Sequence, residues 1–178
     1  MPSEPVDEAA LGPEADPESV GRRILLDQLT GRARSRHELS DKLASRGVPE
    51  PVATALLDRF EAVGLIDDAA FARAWVTQRQ ETKGLSRRVL AQELRRKGVE
   101  DEVAREALDE IDPAAEVQAA HDLVRRKMRS MQRLDDQVAT RRLAGMLARK
   151  GYPPGLCFSV VREELARAGR EPVDLDAP

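Results

Sequence analysis

The chain has 178 residues, with 29 Lys and Arg against 32 Asp and Glu, 3% aromatics and a single cysteine. The absence of β-branched and aromatic runs argues against a sheet, the lack of a long apolar run argues against a membrane span, and a lone Cys157 leaves no internal disulfide to form, as suits a reducing compartment. The net charge of −3 hides an uneven distribution. Residues 1–20 carry six carboxylates and no Lys or Arg, and residues 168–178 carry −2, which leaves +5 on the body between them. A basic body with acidic ends points to an anionic partner, or to a partner surface that competes with the body's own tails.

Residues 1–17, rich in Pro, Glu and Ala, read as a disordered acidic tail without the apolar stretch of a secretory signal. A helix is predicted from about Ser19, with Ile24, Leu25 and Leu29 on adjacent turns and Gly31 as its stop. Ser35 and Glu38 have capping-box spacing and open a second helix through Leu39 and Leu43 to Gly47. Pro49 and Pro51 start a third, with Val52, Leu56, Leu57 and Phe60 inside it and Gly64 as its end. The series then repeats. A helix with Phe71, Trp75 and Val76 on its core side is followed by one with Leu90 and Leu94 inward and Gly98 as its stop, then by one with Val103, Leu108 and Ile111. A third set runs from Pro113, with an insertion (MRSMQRLDDQ) ahead of its second helix.

The second helices superpose without adjustment. Leu39, Leu43, Arg46, Gly47 and Val48 correspond to Leu90, Leu94, Lys97, Gly98 and Val99, and to Leu143, Leu147, Lys150, Gly151 and Tyr152, with periods of 51 and 53. A period near 50 is the signature of a repeat protein, in which each unit completes its core against its neighbours. The expected fold is all-α: three tandem three-helix repeats forming an elongated, curved helical-repeat protein. The expected boundaries are repeat one at 18–66, repeat two at 67–112, repeat three at 113–168 and a disordered tail at 169–178.

Chemistry-bearing constellations are few. His37, His121 and Cys157 lack the spacing of a zinc site, and Cys157 in GLCFSVV reads as a small buried hydrophobe. Lys83-Gly84-Leu85-Ser86 has the look of a phosphate loop but lacks its glycines and preceding strand, and is better read as a turn with Ser86 or its neighbour capping the next helix. No nucleophile, base and acid set stands out, so the chain is expected to bind rather than catalyse, without a cofactor.

The basic stretches are the signal. Residues 79–97 hold seven basic and two acidic side chains, and residues 125–150 hold nine and two. With Leu90 and Leu94 inward, Arg88 lies about 200° away and Arg95 stacks over it seven residues on. The candidate contact residues are Arg79, Lys83, Arg87, Arg88, Arg95, Arg96 and Lys97, then Arg125, Arg126, Arg129, Arg141 and Arg142. Without interleaved aromatics these would meet phosphates rather than stack on bases, and an acidic protein surface would satisfy them equally. A solvated face balanced by neighbouring Glu is the plainer reading of the same row.

Gly64-Leu65-Ile66-Asp67-Asp68-x2-Phe71-Ala72, Lys83-Gly84-x-Ser86-Arg87 and Glu93-Leu94-Arg95-Arg96-Lys97-Gly98-Val99 resemble, in order and spacing, the RecX regulatory proteins over about residues 20–167. Leu85 departs from the Pro often found there. The resemblance implies a modulator of the RecA recombinase that binds RecA and its filament on single-stranded DNA. It further implies inhibition of filament extension, ATPase, strand exchange and coprotease activity in recombination and the SOS response. A cytoplasmic monomer with weak DNA affinity of its own is expected. A direct nucleic-acid-binding helical module and a protein-only scaffold are the competing readings.

Overall fold

The computed structural model describes residues 16–171, which hold nine helices and no strand. They are α1 (Pro17–Gly31), α2 (Arg36–Ser45), α3 (Glu50–Ala62), α4 (Asp68–Lys83), α5 (Arg87–Arg96), α6 (Asp101–Asp109), α7 (Pro113–Met128), α8 (Asp136–Arg149) and α9 (Pro154–Arg167). None is long and apolar enough to cross a membrane. The all-α expectation and its three sets of three helices hold. The acidic tail falls almost wholly outside the described residues, but its last part does not: Asp16 caps α1 by accepting the Glu18 amide, and the helix begins at Pro17 rather than Ser19.

Local signals explain most boundaries. Ser35 and Glu38 form the capping box, with the Glu38 amide donating to Ser35 Oγ and the Ser35 amide to Glu38 Oε2, each at 3.2 Å. Asp67, Asp112 and Asp135 accept amides at the starts of α4, α7 and α8, which satisfies donors that have no partner within the helix.

The chain divides into two compact units: the chain through Phe71 with Lys97–Val99, and Ala72–Arg96 with the chain from Glu100 onward. In the first, Leu25, Leu39, Leu43, Leu56, Phe60 and Ile66 form one core between α1, α2 and α3. In the second, Val124, Leu143, Leu147, Tyr152, Cys157, Val160 and Leu165 form a core between α7, α8 and α9. Leu90 and Leu94 are fully buried on α5. Trp75 departs from the expected core position. It is half-buried, because its indole Nε1 donates to Glu93 Oε2 at 2.9 Å and this keeps the ring at the rim.

Each unit contains one copy of the same junction. In the first, the Ser35 hydroxyl donates to the Lys97 carbonyl at 2.6 Å, and the Lys97 ammonium reaches Glu38 Oε1 at 2.6 Å. Gly98, at φ 71°, lies so close to His37 that any Cβ there would collide with the His37 ring. In the second, the Ser86 amide donates to the Lys150 carbonyl at 3.0 Å, and Gly151, at φ 91°, sits equally close to Ser86 and Val89. The Lys-Gly turn that ends one second helix is thus seated on the start of the preceding second helix.

Candidate basic interface

The structure divides the twelve candidate cations into those used inside the fold and those that face out into solvent. Arg79 stacks on Trp75, with its guanidinium carbon 4.3 Å from the ring centroid, and its Nε lies 3.3 Å from Glu93 Oε2 without hydrogen-bond alignment. Arg87 donates its amide to Glu116 Oε1 at 2.8 Å and its guanidinium to Asp109 at 2.6 Å. This duplicates Arg36 in the first unit, whose amide reaches Asp68 at 2.8 Å and whose guanidinium reaches Asp58 at 2.6 Å. Lys97 is taken by Glu38. Arg125 is bound by Glu164 at 2.9 Å and Asp122 at 3.1 Å. Arg95 meets Asp101 at 3.2 Å, but both side chains are at least three-quarters exposed, so that pair is worth about 0–1 kcal/mol.

Lys83, Arg88, Arg96, Arg126, Arg129, Arg141 and Arg142 are all exposed. None of them is in an ion pair among the described residues. On α5 the outward placement of Arg88, Gln92 and Arg95 follows directly from the burial of Leu90 and Leu94 on the opposite face.

The third repeat gathers its cations around two open clefts. Between α7 and α9, Arg125, Arg129, Arg167 and Arg170 line a cleft of about 630 Å³ together with Glu164. Three of its four arginines are held in ion pairs, and Arg129 is in none among the described residues. Glu164 is 3% exposed and accepts from His121 Nδ1, Arg125 and Arg167. Burial pushes the Glu164 carboxyl up, but the hydrogen bonds from Arg125 and His121 outweigh it and hold the group below the usual carboxylate range. Arg170 is bound to Asp136 at 2.6 Å.

The cleft between the end of α7 and α8 is different. Its lining is Lys127, Met131, Arg141, Arg142, Met146 and Arg149, about 640 Å³ in volume, with four cations, two methionines and no carboxylate. Arg142, Met146 and Arg149 follow one another at four- and three-residue steps along α8, on the face beside the buried Leu143 and Leu147, and Met146 packs against their core. Sequence reasoning found Arg141 and Arg142 but passed over Lys127 and Arg149. The legible signal for Arg149 was its seven-residue offset from Arg142.

Lys150 was also missed. It is half-buried, its ammonium donates to the Lys83 carbonyl, and burial together with the neighbouring Arg126 and Lys83 lowers its pKa. Taken together, these groups can hold anions, phosphates above all, through a field that salt screens.

Comparison with known proteins agrees with this architecture repeat by repeat. The first three-helix domain of RecX matches residues 22–60, the second residues 67–108 and the third residues 114–161. The chain is 48% identical to the regulatory protein RecX of Streptomyces lividans over 159 residues, which span 89% of this chain and 85% of that one. It is 50% identical to that of Mycobacterium avium over 154 residues, spanning 86% and 89%, and 47% identical to that of Mycolicibacterium smegmatis over 174 residues, spanning 93% and 92%. The crystal structure of RecX from Lactobacillus salivarius shares the fold with a TM-score of 0.75 at 22% identity, over 85% of this chain and 98% of that one. A second RecX crystal structure gives 0.73 at 23% identity, over 84% and 73%. With all three of its helical domains matched in order and relatives near 50% identity over most of its length, the chain belongs to the RecX family of regulatory proteins.

Proposed function

We propose that this chain restrains the RecA recombinase by binding RecA and its filament on single-stranded DNA, opposing filament extension, ATP turnover, strand exchange and coprotease activity. It acts in the cytoplasm as a monomer and needs no cofactor. The observation that carries the reading is the set of exposed cations outside the ion pairs of the described residues, namely Lys83, Arg88 and Arg96 around α5 and Arg126, Arg129, Arg141 and Arg142 in the third repeat. Cations held apart from carboxylates keep their full attraction for phosphate, and a nucleoprotein filament offers phosphates and protein together. Arg79, Arg87, Lys97 and Arg125 serve this surface from within, by fixing the helices that carry it.

The test is RecA's single-strand-dependent ATPase with increasing amounts of the protein. Inhibition is expected, and it weakens in an Arg88→Glu/Arg142→Glu variant that melts like the parent. An unchanged ATPase at stoichiometric excess refutes the proposal. The carboxylate-free cleft of Lys127, Arg141, Arg142 and Arg149 also favours a second reading, direct nucleic-acid binding. Tight binding to single strands in the absence of RecA, with no effect on its ATPase, would select that reading.

A further inference from the structure

The two junctions differ at one position. In the first, Lys97 is neutralised by Glu38, the third residue of α2. A shift of 51 residues carries Ser35 to Ser86 and Glu38 to Val89, so the acid has no counterpart where Lys150 replaces Lys97. The Lys150 ammonium donates to the Lys83 carbonyl, and no ion pair to Lys83, Arg126 or Lys150 occurs among the described residues. The same loop is fastened on two further sides. Tyr152 Oη donates to the Gly84 carbonyl at 3.0 Å, and Leu123 of α7 lies so near Gly84 that an added Cβ would approach it to 2.8 Å. Arg126 follows Leu123 by three residues, which places it on the same face of α7 and beside this loop.

We propose that Lys83, Arg126 and Lys150 form a phosphate seat at the junction of the second and third repeats, and that a bound phosphate supplies the counter-ion the junction lacks and tightens it. An ammonium has three donors, and the Lys83 carbonyl uses one. Further donors of that ammonium remain, and Arg126 and Lys83 are the charges that act on it, with no carboxylate paired to any of the three among the described residues. A phosphate there cancels the repulsion among the three cations and holds Lys150 against the loop. The ligand chemistry is a phosphate group, from a nucleic-acid backbone or from free phosphate. The proposal rests on the reading that these cations meet phosphates, but it does not depend on RecA.

The experiment measures the melting of the full-length protein with inorganic phosphate, with pyrophosphate and with a short oligothymidylate, each against chloride at equal ionic strength. Phosphate-bearing ligands at a hundredfold excess over Kd are expected to raise Tm by about 5–10 °C beyond chloride. Hydrogen exchange of the Ser86 amide, which donates to the Lys150 carbonyl, slows in parallel. A response to inorganic phosphate identifies a single-phosphate seat, and a response to the oligonucleotide alone identifies a backbone as the source. Val89→Glu builds in the counter-ion and Lys150→Met removes the anchor, and each should abolish the ligand-dependent shift. A full shift retained in either variant, a shift no larger than chloride gives, or unaltered Ser86 exchange overturns the proposal. Failure of the RecA assay leaves these outcomes standing, since every readout here uses the protein alone.

Discussion

The Lys97 carbonyl oxygen accepts the Ser35 hydroxyl at 2.6 Å across 62 residues of sequence. Both groups belong to helix ends: Ser35 caps α2, and Lys97 follows the last turn of α5. The Ser35 hydroxyl links the two ends: its oxygen accepts the Glu38 amide, which has no partner within α2, while its proton goes to the Lys97 carbonyl. The start of α8 is built differently. A shift of 53 residues carries Ser86 and Arg87 to Ala139 and Thr140, which lie inside α8 because that helix starts one turn earlier, at Asp136. Asp136 is instead bound by Arg170 Nε at 2.6 Å and by the Glu171 amide at 3.2 Å.

Glycine substitutions separate docking from capping. Gly47 and Gly98 both hold left-handed φ, at 74° and 71°, but a Cβ on Gly47 meets nothing within 4 Å, whereas one on Gly98 strikes His37. Gly47→Ala is expected to cost about 1 kcal/mol in urea unfolding, from the backbone conformation alone. Gly98→Ala adds a steric clash and should cost about 2–4 kcal/mol. Equal losses at the two sites would show that the turn is not docked.

How much of this was legible in the sequence follows from which interactions are local. The capping box, the Gly stops and the inward faces of Leu39, Leu90 and Leu143 depend on residues within a turn or two, and the sequence pattern and the structure agree on them. The roles of Arg87 and Lys97 were not legible as packing roles, because their partners Asp109 and Glu38 lie 22 and 59 residues away. The one sequence hint was arithmetic: Arg36 and Asp58 recur, 51 residues later, as Arg87 and Asp109. Trp75 was misplaced for the same reason, since the helical period sees its apolar ring but not the Glu93 carboxylate that holds its edge.

Trp75 is accordingly expected to behave as a rim residue. Trp75→Phe removes the indole donor to Glu93 and should cost about 1 kcal/mol. Trp75→Ala also removes the surface on which Arg79 stacks, but half-burial keeps its cost near about 2 kcal/mol, below the roughly 3–5 kcal/mol of a fully buried aromatic. A loss above about 4 kcal/mol in chemical denaturation would return Trp75 to the core.

Glu164 sets a pH dependence. Its folded-state pKa is lowered below 4.5 by Arg125 and His121, against the upward push of burial. A depressed carboxylate pKa contributes stability that is fully present above the unfolded value and is lost as pH falls through the folded one. Stability should therefore be flat in this component at neutral pH and decline below about pH 4.5. Glu164→Gln leaves His121, Arg125 and Arg167 facing a neutral group in a 3% exposed site, and should cost about 3 kcal/mol at about pH 7 while flattening the acid limb. An acid limb of unchanged steepness in the variant would assign it to other carboxylates.

Neighbouring arginines of opposite role give the most direct check on the basic surface. Arg87→Ala breaks the Asp109 pair and strips a guanidinium from the α5–α6 packing, so it should lower stability by about 1 kcal/mol. Arg142→Ala touches only the open cleft and should leave stability within about 0.5 kcal/mol. In single-strand binding the order reverses. Each phosphate-binding cation removed reduces the slope of log K against log salt by about 0.7, so Arg142→Ala and Arg149→Ala should each flatten it by about that amount while Arg87→Ala leaves it unchanged. A salt titration in which Arg87→Ala flattens the slope and Arg142→Ala does not would mean that the paired and unpaired cations have been assigned the wrong way round.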